Sequence, residues 1–152
     1  RKMAIQAASV TFDSIQLGDE LPILEKTESQ ETINGYTEMN RREDAPVQRG
    51  ANLHTDEGYA QAGIFAGTVN QGVVTCAYLY ELLQMAFPVP NVYRSTFNMR
   101  ALEPFRPGDV VSFTGKVLDK REEGGQRLVD VEVTGTNQLG QTIASAKATV
   151  PL

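Results

Sequence analysis

The sequence predicts a single α+β domain in which an antiparallel sheet wraps around one long central helix. Two observations lead to this prediction. Residues 69–87 are apolar nearly all round, which is typical of a helix buried on most sides. The last third of the chain alternates apolar and polar residues, as strands with one buried face do. The simplest way to cover such a helix is to curve the sheet around it.

Size and composition fit one domain spanning residues 1–152. With 41% hydrophobic and 22% charged residues, the chain can build a core without cross-links. The single cysteine, Cys76, excludes an intramolecular disulfide and fits a reducing, cytoplasmic compartment. We expect no signal peptide and no membrane span, because no apolar run approaches roughly 20 residues. A net charge of -5 with scattered basic residues argues against nucleic-acid binding.

The first third of the chain predicts a mixture of short elements. Residues 10–12 are expected to open a strand, and residues 21–26 form a second extended segment. Apolar residues at helical spacing, with Ser29 as the cap, predict a helix that reaches Met39. The polar residues 41–50 then form a loop.

The middle of the chain predicts two helices separated by a glycine-rich break. Thr55 or Asp56 can cap a short helix over residues 57–62, which has acidic residues in its first turn. The central helix over residues 69–87 follows, and Pro88 stops it.

The last third predicts four strands, over residues 96–101, 111–117, 129–133 and 144–150. Small inward residues allow the sheet to come close to the helix. They are Gly115, Ala144, Ala146 and Ala148. The resulting arrangement is the hotdog architecture. Because an exposed sheet edge has to be paired or protected, we expect at least a homodimer formed edge to edge.

Two residues are the strongest candidates for chemistry. His54, the only histidine, ends a loop just before a helix and can exchange a proton near neutral pH. Its alternative role is that of a surface or capping residue. Gly72 opens the central helix, where free N–H groups and the helix dipole suit an oxygen that gains negative charge. Its alternative role is close packing of helix against sheet.

Polar neighbours supply further candidates. Asn52 and Gln71 can each orient a water or a carbonyl group, or satisfy the loop backbone. Asp44 is the nearest carboxylate before His54, whereas we interpret Asp56 as a helix cap. No histidine, cysteine and carboxylate pattern predicts a metal site, and no glycine pattern predicts a phosphate loop.

Three segments resemble the MaoC-like hydratases and dehydratases, which include the (R)-specific enoyl-CoA hydratases. They are NLHTDEGYA at residues 52–60, GIFAGTVNQG at 63–72 and MRALEPFRPGD at 99–109. The resemblance implies that His54 is the acid/base and that the Gly72 N–H is the oxyanion donor. The family's aspartate, five residues before the histidine, corresponds to Arg49, which cannot act as a base. The family's Asn-Pro pair corresponds to Ala51-Asn52, without the proline.

The preferred interpretation is an enoyl-CoA hydratase or 3-hydroxyacyl-CoA dehydratase with a modified site. Water would be held by Asn52 or by Asp44 folding back from the lengthened loop. The residues expected at this site are His54, Asn52, Asp44, Gly72, Gln71 and Val73. The acyl chain would lie between the central helix and the sheet. Coenzyme A or an acyl-carrier arm would arrive with the substrate, and no other cofactor and no metal is expected.

Two other functions remain open. A hotdog thioesterase would use a carboxylate of the central helix, but Glu81 lies too far along that helix to meet Gly72. A subunit that binds acyl thioesters without turnover is favoured by Arg49 at the family's aspartate position.

Overall fold

The computed structural model describes residues 4–41 and 50–152. Within these ranges the chain forms four helices and five strands. The helices are α1 (Gln30–Met39), α2 (Glu57–Ala62), α3 (Gly72–Ala86) and α4 (Val89–Val92). The strands are β1 (Leu24–Thr27), β2 (Thr96–Ala101), β3 (Val110–Glu123), β4 (Gln126–Asn137) and β5 (Thr142–Pro151).

The strands form one antiparallel sheet in the order β1-β3-β4-β5-β2. The long strands β3, β4 and β5 occupy the centre, and the short strands β1 and β2 form the edges. Small apolar residues from neighbouring strands share one face of the sheet. Val131 of β4, for example, lies opposite both Val117 of β3 and Ala148 of β5. This confirms the predicted α+β hotdog fold.

The central helix α3 packs across the inner face of the sheet. Its residues Leu79, Leu82 and Leu83 are fully buried, and Ala144 of β5 is fully buried with them in one hydrophobic core. The opposite side of α3 is less covered, because Val73 is 58% exposed. Among the described residues no helix is both long and apolar enough to cross a membrane.

Two expectations about local structure were wrong in detail. Residues 10–12 form no strand but lead into a turn over residues 12–14, in which the hydroxyl oxygens of Thr11 and Ser14 accept hydrogen bonds from each other's backbone N–H. The central helix begins at Gly72 instead of at residue 69. The backbone N–H groups of Val69 and Asn70 instead donate to the carbonyls of Leu53 and Phe105, in two other segments of the chain.

An aromatic ring of the sheet contacts the central helix, and a glycine beneath the ring gives it room. Gly135 of β4 lies opposite Phe113 of β3, and a Cβ on Gly135 would come within 2.6 Å of the Phe113 ring. The same ring packs against Tyr78 of α3, with ring centroids 5.9 Å apart. The missing side chain at Gly135 therefore makes room for the ring that contacts the helix.

Gly135→Ala is expected to lower the free energy of unfolding by about 1–3 kcal/mol, because Phe113 has to move out of its packed position. Urea unfolding followed by circular dichroism measures the change. The control is Gly35→Ala in α1, where an added Cβ meets nothing within 4 Å and alanine favours the helix. Equal unfolding midpoints for the two variants would contradict the packing argument.

Candidate functional site

A cavity of about 290 Å³ lies at the N-terminal end of α3 and is lined by both His54 and Gly72. Most of its wall is apolar. The apolar lining residues are Leu53, Phe65, Val69, Ala101, Leu102, Pro104, Phe105 and Ile143. Its polar side chains belong to His54, Asn70, Thr75 and Glu103. A mostly apolar concave site with a few convergent polar groups is typical of a small-molecule site.

The ring of His54 is half-buried and its orientation is fixed by one hydrogen bond. Its Nδ1 lies 2.9 Å from the carbonyl oxygen of Val69. A carbonyl oxygen can only accept, so Nδ1 carries the proton and donates it. In the neutral ring the unprotonated nitrogen is then Nε2, which is the form of histidine that can accept a proton.

The loop that carries His54 is held by side chains on both sides. The Oδ1 of Asn52 accepts from the backbone N–H of His54 at 2.9 Å and from that of Thr55 at 3.0 Å. The Nδ2 of Asn52 donates to the Thr55 hydroxyl at 2.8 Å. From α1, Gln30 donates to the carbonyl of His54 at 2.8 Å and accepts from Thr68 at 2.6 Å. Hydrogen bonds from Asn52 and Gln30 thus hold the loop that carries His54.

Gly72 is the first residue of α3, and the capping position before it supplies no side-chain hydrogen bond. The N–H groups of the first helical turn therefore lack a capping side chain. An added Cβ on Gly72 would meet no described atom within 4 Å. The alternative role of Gly72 in close helix–sheet packing thus has no support, because the space that a side chain would take at this exposed residue is open.

Three solved structures are similar over nearly their whole length. A MaoC-like dehydratase from Rhodospirillum rubrum has a TM-score of 0.75 and 19% identity, covering 95% of this chain and 97% of that one. A structure from Archaeoglobus named as a monoamine oxidase regulatory protein has a TM-score of 0.74 and 21% identity, covering 94% of each chain. An (R)-hydratase from Pseudomonas aeruginosa has a TM-score of 0.72 and 16% identity, covering 96% and 86%. No family model matches the chain, and no curated protein matches it significantly.

This chain has the fold of the MaoC-like dehydratases. Similarity at these sequence identities shows the fold. Within this MaoC-like fold, two of the expected site residues, His54 and Gly72, are brought to the same cavity.

The other expected site residues lie elsewhere. Gln71 ties α3 to α1, because its Nε2 donates to the Thr37 hydroxyl at 2.9 Å and to the Ile33 carbonyl at 3.2 Å. Val73 lies on the exposed side of α3, away from this cavity. The side chain of Asn52 hydrogen-bonds to His54 and Thr55 of its own loop and does not line the cavity. Asp44, like Arg49, lies outside the described residues.

Three buried polar residues beside the cavity were not predicted from the sequence. Asn70 and Thr75 line the cavity with 7% and 4% exposure, and Nδ2 of Asn70 lies 2.9 Å from the Thr75 hydroxyl. Behind them, Glu28 is 2% exposed and accepts from Asn70 at 3.3 Å. Glu28 is 42 positions from Asn70 in the chain, so no local motif could have connected them.

Three groups of α3 are poor candidates for chemistry. Burial raises the pKa of the Cys76 thiol, which disfavours the reactive thiolate. Glu81 forms a salt bridge of 2.8 Å with Lys26 and does not line the cavity. Burial, with the charges of Glu28 and Glu81, raises the pKa of the Tyr78 phenol, so it stays protonated at neutral pH. Within the described residues no cluster of metal-ligating side chains occurs.

Gly72→Ala is expected to leave the free energy of unfolding unchanged or to raise it by up to about 1 kcal/mol, because alanine favours a helix and its methyl group meets open space. Urea unfolding beside the parent protein measures this. Destabilisation as large as that expected for Gly135→Ala would show that Gly72 is needed for packing after all.

Proposed function

We propose that this protein is a hydro-lyase that adds water across the 2,3 double bond of an enoyl thioester, or removes it from the 3-hydroxyacyl thioester. One observation carries the proposal. A histidine with its ring fixed for proton transfer and an uncapped helix N-terminus at Gly72 line one apolar cavity. Such a pair provides the acid/base and the oxyanion donor that this reaction needs.

The proposed reaction follows from the two groups. Nε2 of His54 takes a proton from water as the water oxygen bonds to C3 of the enoyl thioester. The electron pair of the double bond moves towards the thioester carbonyl, whose oxygen gains negative charge and is stabilised by the Gly72 N–H. The protonated ring then gives the proton to C2, which restores the neutral histidine. In the dehydration direction the same steps run in reverse.

The substrate is proposed to be a thioester of coenzyme A or of an acyl carrier. The mostly apolar wall formed by residues such as Phe65, Phe105 and Ile143 suits an acyl chain beside α3. No further cofactor takes part in the proposed reaction. We place the protein in the cytoplasm, since its one cysteine fits a reducing compartment and such thioesters are metabolic intermediates.

Asn52 is assigned to positioning the His54 loop, because Oδ1 already accepts two backbone hydrogen bonds. The proposal does not require a carboxylate from Asp44. Addition of water without the family's aspartate would depend on His54 as the sole acid/base, with neutral polar groups of the cavity wall orienting the water.

A second candidate function is binding of acyl thioesters without turnover, which Arg49 at the family's aspartate position favours. Thioester hydrolysis is less favoured, since Glu81 is engaged by Lys26 away from the cavity. Crotonyl-CoA separates the three functions. A hydro-lyase consumes the conjugated double bond, a thioesterase releases free thiol, and a binding subunit does neither.

His54→Asn is expected to lower kcat for crotonyl-CoA hydration by roughly 10²–10⁴-fold, the usual contribution of a general acid/base. Asparagine can still donate from its side-chain amide to the Val69 carbonyl, so the loop contact is imitated while the base is lost. Loss of absorbance of the conjugated thioester measures the rate, and circular dichroism verifies the fold. Equal rates for variant and parent would refute the assignment of His54. An inactive parent protein would refute the hydro-lyase itself.

We also propose a homodimer formed at the β2 edge of the sheet. Tyr80 of α3 stacks on Phe97 of β2, with ring centroids 4.5 Å apart, so the strand edge and the exposed side of α3 form one surface. A shallow groove on α3 belongs to it, lined by Val73, Cys76, Ala77, Tyr80, Glu81 and Gln84. A second copy pairing along β2 would continue the sheet and cover this side of the helix.

Val73→Glu is expected to shift the protein from dimer to monomer, because it places a charge in the groove that the second copy would cover. Light scattering coupled to size-exclusion chromatography measures the mass. The control is Ile64→Glu, which changes an equally apolar residue that is 93% exposed in the loop after α2. A monomeric parent protein, or a dimer unaffected by Val73→Glu, would exclude this interface.

A further inference from the structure

We propose that Glu28 is a positioning residue of the site, whose carboxylate sets the orientation of the Asn70 amide and thereby leaves the Thr75 hydroxyl proton available to an oxygen in the cavity. The inference rests on the proposed hydro-lyase function for its catalytic consequence. The orientation itself is a property of the protein without substrate and is tested separately.

Glu28 is a carboxylate with unusually complete burial. It follows the last residue of β1, precedes the cap of α1 and is 2% exposed. Oε1 accepts hydrogen bonds from the Thr32 hydroxyl and, at 3.3 Å, from the Ser29 N–H. Oε2 accepts from Nδ2 of Asn70 at 3.3 Å. All three donors are neutral groups, so the carboxylate is buried without a positive partner among its hydrogen-bond contacts, an arrangement that costs folding free energy.

The Glu28 carboxylate decides which end of the Asn70 amide faces it. A carboxylate oxygen accepts and does not donate, so the NH₂ group of Asn70 has to point towards Glu28. The second hydrogen of the same NH₂ group is directed to the Thr75 hydroxyl oxygen, 2.9 Å away. With the amide reversed, its oxygen would face a carboxylate, and two acceptors would repel each other.

The orientation of Asn70 sets the direction of the hydrogen bond offered by Thr75. Because the Thr75 oxygen accepts from Asn70, its own hydrogen is not needed for that contact. The alternative acceptor for that hydrogen is Oδ1 of Asn70, at a longer 3.3 Å. Thr75 lines the same cavity as His54 and Gly72, so the hydrogen can be donated to a water or substrate oxygen there. Glu28 thus acts on the site through Asn70 and Thr75 without lining the cavity itself.

The two oxygens of Glu28 have different roles. Oε1 supports the start of α1 through Ser29 and Thr32, which is a structural contact. Oε2 faces Asn70 and therefore the site. A test has to separate these two contributions, since any change at Glu28 affects both.

The first variant is Glu28→Gln, which keeps the shape and removes the requirement for a donor on Asn70. It is expected to lower kcat for crotonyl-CoA hydration by at least about tenfold with KM little changed, the pattern of an interaction used in the transition state. The matched control is Asp109→Asn, the same carboxylate-to-amide change at a residue 8% exposed whose oxygens bind the Arg106 N–H and the Gln138 amide. This control is expected to change stability and leave kcat as in the parent.

The second variant exchanges the two groups, as Glu28→Gln together with Asn70→Asp. An amide then faces a carboxylate again, so the free energy of unfolding is expected to return towards that of the parent. The Thr75 hydroxyl now faces a carboxylate and donates to it, so kcat is expected to stay low. A purely structural role predicts instead that stability and kcat recover together, and recovery of kcat would overturn the proposal.

Nuclear magnetic resonance of the Asn70 side-chain amide supplies a readout that needs no activity. We expect slow hydrogen exchange of the Asn70 NH₂ group in the parent protein and in Asp109→Asn. We expect faster exchange in Glu28→Gln. The same pattern in a protein that hydrates no enoyl thioester would refute the hydro-lyase and support the orientation. Unchanged exchange in Glu28→Gln would overturn the role of Glu28 whatever the activity.

Discussion

The structure depends on the short extended segment that precedes the central helix. The N–H of Val69 donates to the Leu53 carbonyl, and the carbonyl of Val69 accepts from the ring of His54. Val69 therefore holds both the backbone of the loop before His54 and the His54 ring. The N–H of Asn70 then bonds to the Phe105 carbonyl. If the helix began at Val69, the Val69 carbonyl would accept from the N–H of Val73 and would be lost to His54. Because the helix starts only at Gly72, the segment before it can join the His54 loop, the helix and the far wall of the cavity.

The cavity beside this segment combines apolar walls with a few polar groups that can act on a bound molecule. Its walls come from residues that would otherwise be ordinary core, such as Phe105 and Ile143. Its polar groups are the backbone N–H groups at the helix start, the ring of His54, the buried side chains of Asn70 and Thr75, and the exposed carboxylate of Glu103. The apolar walls strengthen each of these electrostatic contacts, because the local dielectric beside them is lower than in bulk solvent.

The placement of carboxylates departs from what the resemblance implies. The family's aspartate would come from the loop before His54, where this chain has Arg49. The buried carboxylate bonded to the cavity wall is instead Glu28, which enters from the end of β1. Its influence reaches the cavity through an amide and a hydroxyl, so the charge stays one contact away from any bound molecule. On this side of the cavity the polar side chains are therefore the neutral ones of Asn70 and Thr75.

The sequence by itself determined the elements whose signal is local. The alternation of residues 129–133 predicted a strand of the sheet, and the apolar residues 69–87 predicted α3. The position of His54 before a helix and of Gly72 at the start of the next made both candidates for the site. The tertiary structure alone decided which residues share the cavity. Val73 follows Gly72 yet lies on the other side of the helix, since successive residues are separated by about 100° around it. Glu28 meets Asn70 because β1 and the start of α3 converge in space, a long-range contact that no sequence period records.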